Sequence, residues 1–150
     1  GSATTFVAAE IDQTTRKAKI LSVGDSRAYL IDAQGKWQQI TQDHSILSEL
    51  LADFPDKKEE DFATIYGGVS SCLVADYSEF QDKIFYQEIE IQQGESLLLC
   101  SDGLTDGLSA EVREKIWKQY DNDKSRLTVY RKLIEKQRFY DDLSVIICAF

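Results

Sequence analysis

Apolar and polar residues alternate over the first forty positions in short runs. This predicts strands at residues 5–11, 18–23, 27–32 and 37–40. Polar turns at 12–17, 24–26 and 33–36 separate them, so the first two strands form a hairpin and the set reads as a β-meander. Within the third strand Ala28 and Leu30 face one way, Tyr29 and Ile31 the other. The period then changes. Ile46, Leu47, Leu50 and Leu51 recur at helical spacing behind N-cap candidates in residues 41–45. Phe54-Pro55 ends that helix, because the residue before a proline avoids the α region. Residues 56–61 form a charged connector, residues 62–68 fit no element, and residues 69–74 fit either a strand or a short helix.

Alternation returns at residues 83–91, with Phe85, Gln87, Ile89 and Ile91 on one face and Tyr86, Glu88 and Glu90 on the other. A turn at 92–95 leads to Leu97-Leu-Leu-Cys100. Four apolar residues in succession predict a strand buried on both faces. Ser101-Asp102-Gly103 stops it, and its Asp-Gly pair reads as a tight turn. Two helices follow. The first starts at Ser109, carries Glu111 in its first turn and buries Val112, Ile116 and Tyr120. The second is capped by Ser125, reaches about Arg138 and buries Leu127, Tyr130, Leu133 and Ile134. Residues 143–150 form the last strand. Strands first, then strands mixed with helices and few βαβ units, indicate an α+β chain with largely antiparallel sheets.

A length of 150 residues suits one domain with a substantial core. Apolar residues make up 43% and charged residues 29%, an ordinary globular balance. The formal net charge of −9 argues against general affinity for nucleic acid, which needs a basic surface. It suits metal-binding carboxylates and an acidic solvated surface equally. No apolar run approaches a membrane span, and no signal peptide is expected. Cys72, Cys100 and Cys148 match no zinc spacing. Their odd number and wide separation point to a reducing, cytoplasmic setting. The single histidine, His44, leaves no multi-histidine metal site within one chain.

Candidate chemistry lies with the acidic residues at strand ends. Asp25 follows the second strand, Asp102 follows the apolar run, and Asp141 and Asp142 precede the last strand. Each taken alone reads as a turn residue. If brought together they would repel unless a cation sat between them, and carboxylate oxygens suit a hard cation such as Mg²⁺ or Mn²⁺. Other chemistries fit less well. Gly68-Val-Ser-Ser-Cys72 lacks the last glycine of a nucleophile elbow. Asp121, Asp123 and Ser125 imitate the start of an EF-hand loop, but Arg126 and Lys132 stand where its glycine and closing glutamate belong.

Four stretches together are more specific. Val23-Gly-Asp-Ser-Arg-Ala-Tyr-Leu30, Thr41-Gln-Asp-His-Ser45, Leu98-Leu-Cys-Ser-Asp-Gly-Leu104 and Asp141-Asp-Leu-Ser-Val-Ile146 resemble the central and C-terminal motifs of the metal-dependent protein phosphatases. These are the PPM, or type 2C, serine/threonine phosphatases, and the short connections look most like compact bacterial members. The resemblance runs from about residue 5 to residue 150. It implies an antiparallel β-sandwich flanked by helices with its N-terminal part missing, so that residues 1–150 are a single partial domain. It implies Mn²⁺ or Mg²⁺ as cofactor and phosphoserine or phosphothreonine proteins as substrate. Asp102 and Asp141 would be ligands of the main binuclear site, and Asp25 with Asp102 would serve a third metal. Metal-activated water would attack phosphorus directly, so no nucleophilic side chain is required.

The chain also departs from that pattern. Asp141-Asp142 stands where Asp-Asn is usual, and Ser144 where threonine is common. The family's N-terminal segment carries a phosphate-binding arginine, an acidic ligand and an Asp-Gly-His-Gly stretch with a bridging aspartate and a proton-donating histidine. None of these lies in residues 1–150. His44 belongs to the Asp-His-Ser motif and reads as a capping or packing histidine. No catalytic acid is therefore identified, and weak or no activity is expected of this chain by itself. The alternative is a non-catalytic PPM-like module that binds a phosphoprotein or partner. Sheet edges uncovered by the missing segment would invite a dimer or strand exchange.

Overall fold

The computed structural model describes residues 2–62, 68–74 and 83–150. Residues 63–67, part of the stretch that fits no predicted element, lie outside the described residues. The first hairpin forms as its alternation demands. Strands β2 (Phe6–Asp12) and β3 (Lys17–Val23) pair antiparallel, with Ala9 opposite Ile20 and Ile11 opposite Ala18. Asp12 Oδ1 ties the turn by accepting the Thr14 N–H at 2.8 Å. Strand β7 (Phe85–Glu90) joins the free side of β3. On the outer face Lys17 lies between Asp12 and Glu90, and Lys19 between Glu10 and Glu88, so opposite charges face each other across the strands.

The second sheet has the order β5 (Trp37–Gln39), β4 (Arg27–Ile31), β8 (Ser96–Cys100), β9 (Val145–Ala149), all antiparallel. The two sheets pack face to face through Ala18, Ile20, Ala28, Ile91 and Leu97. The other face of the four-stranded sheet packs Tyr29, Ile31, Leu98 and Cys100 against helices α2 (Asp102–Gly107), α3 (Ala110–Gln119) and α4 (Asp123–Ile134). Strand β8 is thus covered on both sides, with Leu97 and Leu98 only 2% and 0% exposed. Each such side chain contributes about 2–3 kcal/mol by leaving water. A two-stranded ribbon of β1 (Ala3–Thr4) and β6 (Leu73–Val74) and the helix α1 (Ile46–Asp53) complete the described elements, with a 3₁₀ turn at Glu59–Phe62. The architecture is the antiparallel sandwich with flanking helices that the resemblance implies. No described helix is long and apolar enough to cross a membrane.

Three helical details differ from the sequence reading. Asp102-Gly103 opens helix α2 instead of closing a tight turn. In α3 the buried residues are Arg113, Ile116 and Trp117, while Val112 is 37% exposed. The Arg113 guanidinium lies over the rings of Tyr29 and Trp37, at 5.2 and 5.3 Å, which lets a cation occupy the core side of the helix. Helix α4 is capped by Asn122, whose Oδ1 accepts the Ser125 N–H at 2.9 Å, and it ends at Ile134. Arg126 donates to Asp123 at 2.7 Å, so the EF-hand imitation is a helix start.

The outer strands β2 and β9 flank an apolar trough of about 470 Å³, lined by Val7, Ala9, Leu99, Ile146 and Cys148 among others. Ile146 on β9 is 66% exposed. The contrast between β8 and β9 gives a stability test. Leu98→Ala should lower the free energy of urea unfolding by about 3 kcal/mol. Ile146→Lys should change it by less than about 1 kcal/mol.

Candidate metal site

Register brings the acidic stations together. Arg27 at the start of β4 is opposite Cys100 at the end of β8, and Cys100 is opposite Val145 at the start of β9. These three positions define one end of the four-stranded sheet. Asp25 precedes Arg27, Asp102 follows Cys100 and Asp141 precedes Val145, so all three loops emerge at that end.

Ser101 joins two of the loops. Its N–H donates to the Ser144 carbonyl at 3.0 Å, its Oγ donates to the Asp142 carbonyl at 3.1 Å, and the same Oγ accepts the Ser144 N–H at 3.0 Å. Gly103 then sits so close to the Asp142 carbonyl that a Cβ would collide with it. Asp102 Oδ1 accepts the Gly103 N–H at 2.9 Å, and Asp141 Oδ1 accepts the Asp142 N–H at 2.7 Å. Backbone contacts of residues 101–103 with residues 141–144 therefore hold Asp102 beside Asp141.

Asp25 sits on a separate turn. Gly24 has φ +101°, and a Cβ there would lie 2.5 Å from the Thr5 methyl, so only glycine fits. The Thr5 and Ser26 hydroxyls share a hydrogen bond of 2.9 Å beside it. His44 Nδ1 accepts the Gly24 N–H at 3.2 Å, while Ser45 is the N-cap of α1.

The carboxylates act on one another. Burial raises the pKa of Asp25, and the charge of Asp102 adds to it, with smaller effects from Asp43 and Asp106. Asp106, one helical turn after Asp102 on α2, is also raised by desolvation and by Asp102, with Asp43 and Asp141 adding and Arg27 opposing. Arg27 is already engaged. Its Nε donates to both oxygens of Asp43, at 3.0 and 2.8 Å. Burial works against the Arg27 charge, but Asp43 outweighs it and the guanidinium pKa is raised. The charge of Asp102 thus reaches both Asp25 and Asp106, and Asp141 reaches the group through Asp106 and the Ser101 contacts. Among the described residues, no three His, Cys, Asp or Glu side chains form a group that could hold a metal ion. The donor chemistry, hard carboxylate oxygen, fits Mg²⁺ or Mn²⁺.

A family profile described as Protein phosphatase 2C matches residues 2–133. The chain belongs to the protein phosphatase 2C family. Among relatives of this family, "Serine/threonine phosphatase stp" of Listeria innocua is 36% identical over 118 residues, covering 79% of this chain and 45% of that protein. The serine/threonine phosphatase Stp1 from Staphylococcus aureus has a solved structure that is 26% identical. It superposes with a TM-score of 0.80 over 100% of this chain and 57% of that one. The catalytic domain of the serine threonine protein phosphatase PstP, solved in complex with 2 manganese ions, has a TM-score of 0.71 at 24% identity, over 98% of this chain and 58% of that one. The chain spans about half the length of the curated relatives it matches.

Two features of the site lie beyond the sequence reading. Asp106 is four residues after Asp102, the spacing of one helix face, but that signal needs the segment to be helical. The Arg27–Asp43 pair links residues sixteen apart, with no periodic pattern between them.

The Asp25 shift makes a signed prediction. Between the usual value of 3.8 and the raised folded value, the folded chain binds more protons than the unfolded one, so this contribution to stability falls as pH rises. Asp25→Asn removes it. Without metal, the variant should melt about 2 °C above the parent at pH 7. The difference should close by about pH 4. Thermal circular dichroism at both pH values checks this.

Proposed function

We propose that residues 1–150 are a partial phosphatase domain and that its chemistry is metal-dependent hydrolysis of phosphoserine and phosphothreonine esters in proteins. The observation that carries this reading is the delivery of Asp25, Asp102 and Asp141 to one end of the sandwich in a protein phosphatase 2C chain. Asp102 and Asp141 would hold the main Mn²⁺ or Mg²⁺ centre, and Asp25 with Asp102 a further ion. The PstP domain, solved in complex with 2 manganese ions, shares this fold. When bound, such an ion lowers the pKa of water and offsets charge on the phosphoryl group.

The chain's own residues do the positioning. Ser101 and Gly103 hold the Asp102 loop against the Asp141 loop, and the Gly24 turn presents Asp25. Arg27 balances Asp43 and leaves the other carboxylates to a metal. The proton donor and the phosphate-binding arginine would come from outside residues 1–150. The free thiols of Cys72, Cys100 and Cys148 support a cytoplasmic setting.

The test is Mn²⁺-dependent hydrolysis of p-nitrophenyl phosphate and of a phosphothreonine peptide, beside Asp102→Ala. The weak turnover open to this chain alone should need Mn²⁺ and fall to background in Asp102→Ala, because a lost ligand forfeits several kcal/mol of charge stabilisation. Turnover equal in both proteins would overturn the assignment of Asp102. One observation favours a second reading, a non-catalytic module that binds phosphoprotein. The described carboxylates do not close into a three-ligand group. Peptide binding with no turnover at any Mn²⁺ concentration would select it.

The expected dimer would use β9, whose five residues carry no charge to discourage pairing. Sedimentation velocity should show self-association that Ile146→Lys abolishes, and a concentration-independent monomer would remove the dimer from the proposal.

A further inference from the structure

His44 holds both polar backbone groups of Gly24. The His44 N–H donates to the Gly24 carbonyl at 2.9 Å, and the Gly24 N–H donates to His44 Nδ1 at 3.2 Å. The third backbone contact points elsewhere: the His44 carbonyl accepts the Ser70 N–H at 2.9 Å. Around this contact Ser45 bridges Val69, and the Ile46 N–H donates to the Gly68 carbonyl at 2.9 Å. One residue therefore joins the turn before Asp25 to the segment containing Gly68, Val69 and Ser70.

We propose that His44 is a positioning residue for Asp25, fixing its carboxylate through Gly24 and coupling it to the Ser70 segment. The geometry gives the reason. Gly24 at φ +101° is wedged against Thr5 and has no room to shift toward it, so its peptide orientation is set on the other side by the His44 ring. Tilting that peptide would swing the next residue, Asp25. The ring can accept the Gly24 N–H only when it is neutral with its proton on Nε2. Burial and the nearby Lys83 both favour the neutral ring. Asparagine could replace this acceptor with its side-chain carbonyl, whereas alanine could not. Outer residues that orient a metal ligand in this way typically alter metal affinity by 10–100-fold.

The inference rests on the reading of Asp25 as a metal ligand, and its test separates the two. Mn²⁺ titrations of the parent, Asp25→Ala, His44→Ala and His44→Asn are followed by paramagnetic broadening of backbone amide signals, together with hydrogen exchange of the Gly24 amide. Asp25→Ala should weaken the Mn²⁺ effect around residues 24–26. His44→Ala should weaken it about 10-fold and speed Gly24 exchange, and His44→Asn should bring both back to within about 3-fold of the parent. If Asp25→Ala weakens binding and His44→Ala does not, His44 does not position Asp25. Equal loss in the alanine and asparagine variants would show that ring packing matters and the hydrogen bond does not, which also overturns the proposal. If Asp25→Ala leaves the Mn²⁺ effect unchanged, the ligand reading fails. Gly24 exchange then judges the His44 contact alone, and unchanged exchange in His44→Ala rejects it.

Discussion

Burial of β8 on both faces is the constraint on which the other features depend. Leu97 belongs to the core between the sheets, and Leu98 and Cys100 belong to the core beneath the helices. A strand held between two cores cannot slide, because a shift of one residue would exchange its faces. Its exit point is therefore fixed, and Ser101 leaves the sheet beside the entry to β9. The hydrogen bonds of Ser101 to residues 142 and 144 extend that fixed geometry by one residue beyond the sheet. Asp102 and Asp141 inherit their relation from this rigid base, as a metal site requires.

The same rigidity imposes an electrostatic cost. Burial, and after it the charge of Asp102, works against ionisation of both Asp25 and Asp106. Arg27 offsets little of it, since both oxygens of Asp43 already occupy its Nε. The raised pKa values of Asp25 and Asp106 express the remaining repulsion together with their burial. This end of the sheet therefore gathers carboxylates whose ionisation the fold itself opposes.

Much of this was legible in the chain. Alternation located β2, β3, β4 and β7, the uninterrupted Leu97–Cys100 run revealed double-sided burial, and the acidic residues at strand ends are the ones whose loops emerge at one end of the sheet. The missed parts share one physical cause, which is that distant contacts override local preference. Gly103 and Gly107 look like helix breakers, yet each is needed because a Cβ would meet the Asp142 carbonyl or Ile134. Reading that segment as a turn also concealed Asp106 on the shared face of α2. Arg113 belongs on an exposed face by its charge, yet its guanidinium lies over the rings of Tyr29 and Trp37. The β1–β6 ribbon joins residues some seventy apart through two residues each, too little pattern to recognise beforehand.

Both cores are assembled from residues within 1–150. In the proposed function, a proton donor, a phosphate-binding arginine and further ligands would be supplied from outside residues 1–150. The sandwich positions carboxylates through contacts it makes with itself, while the trough between β2 and β9 keeps apolar surface and unpaired backbone open to solvent. Half-buried apolar residues that line the trough, such as Leu99, gain when an extended strand covers them, because pairing would satisfy the β9 edge and remove Ile146 from water in one step.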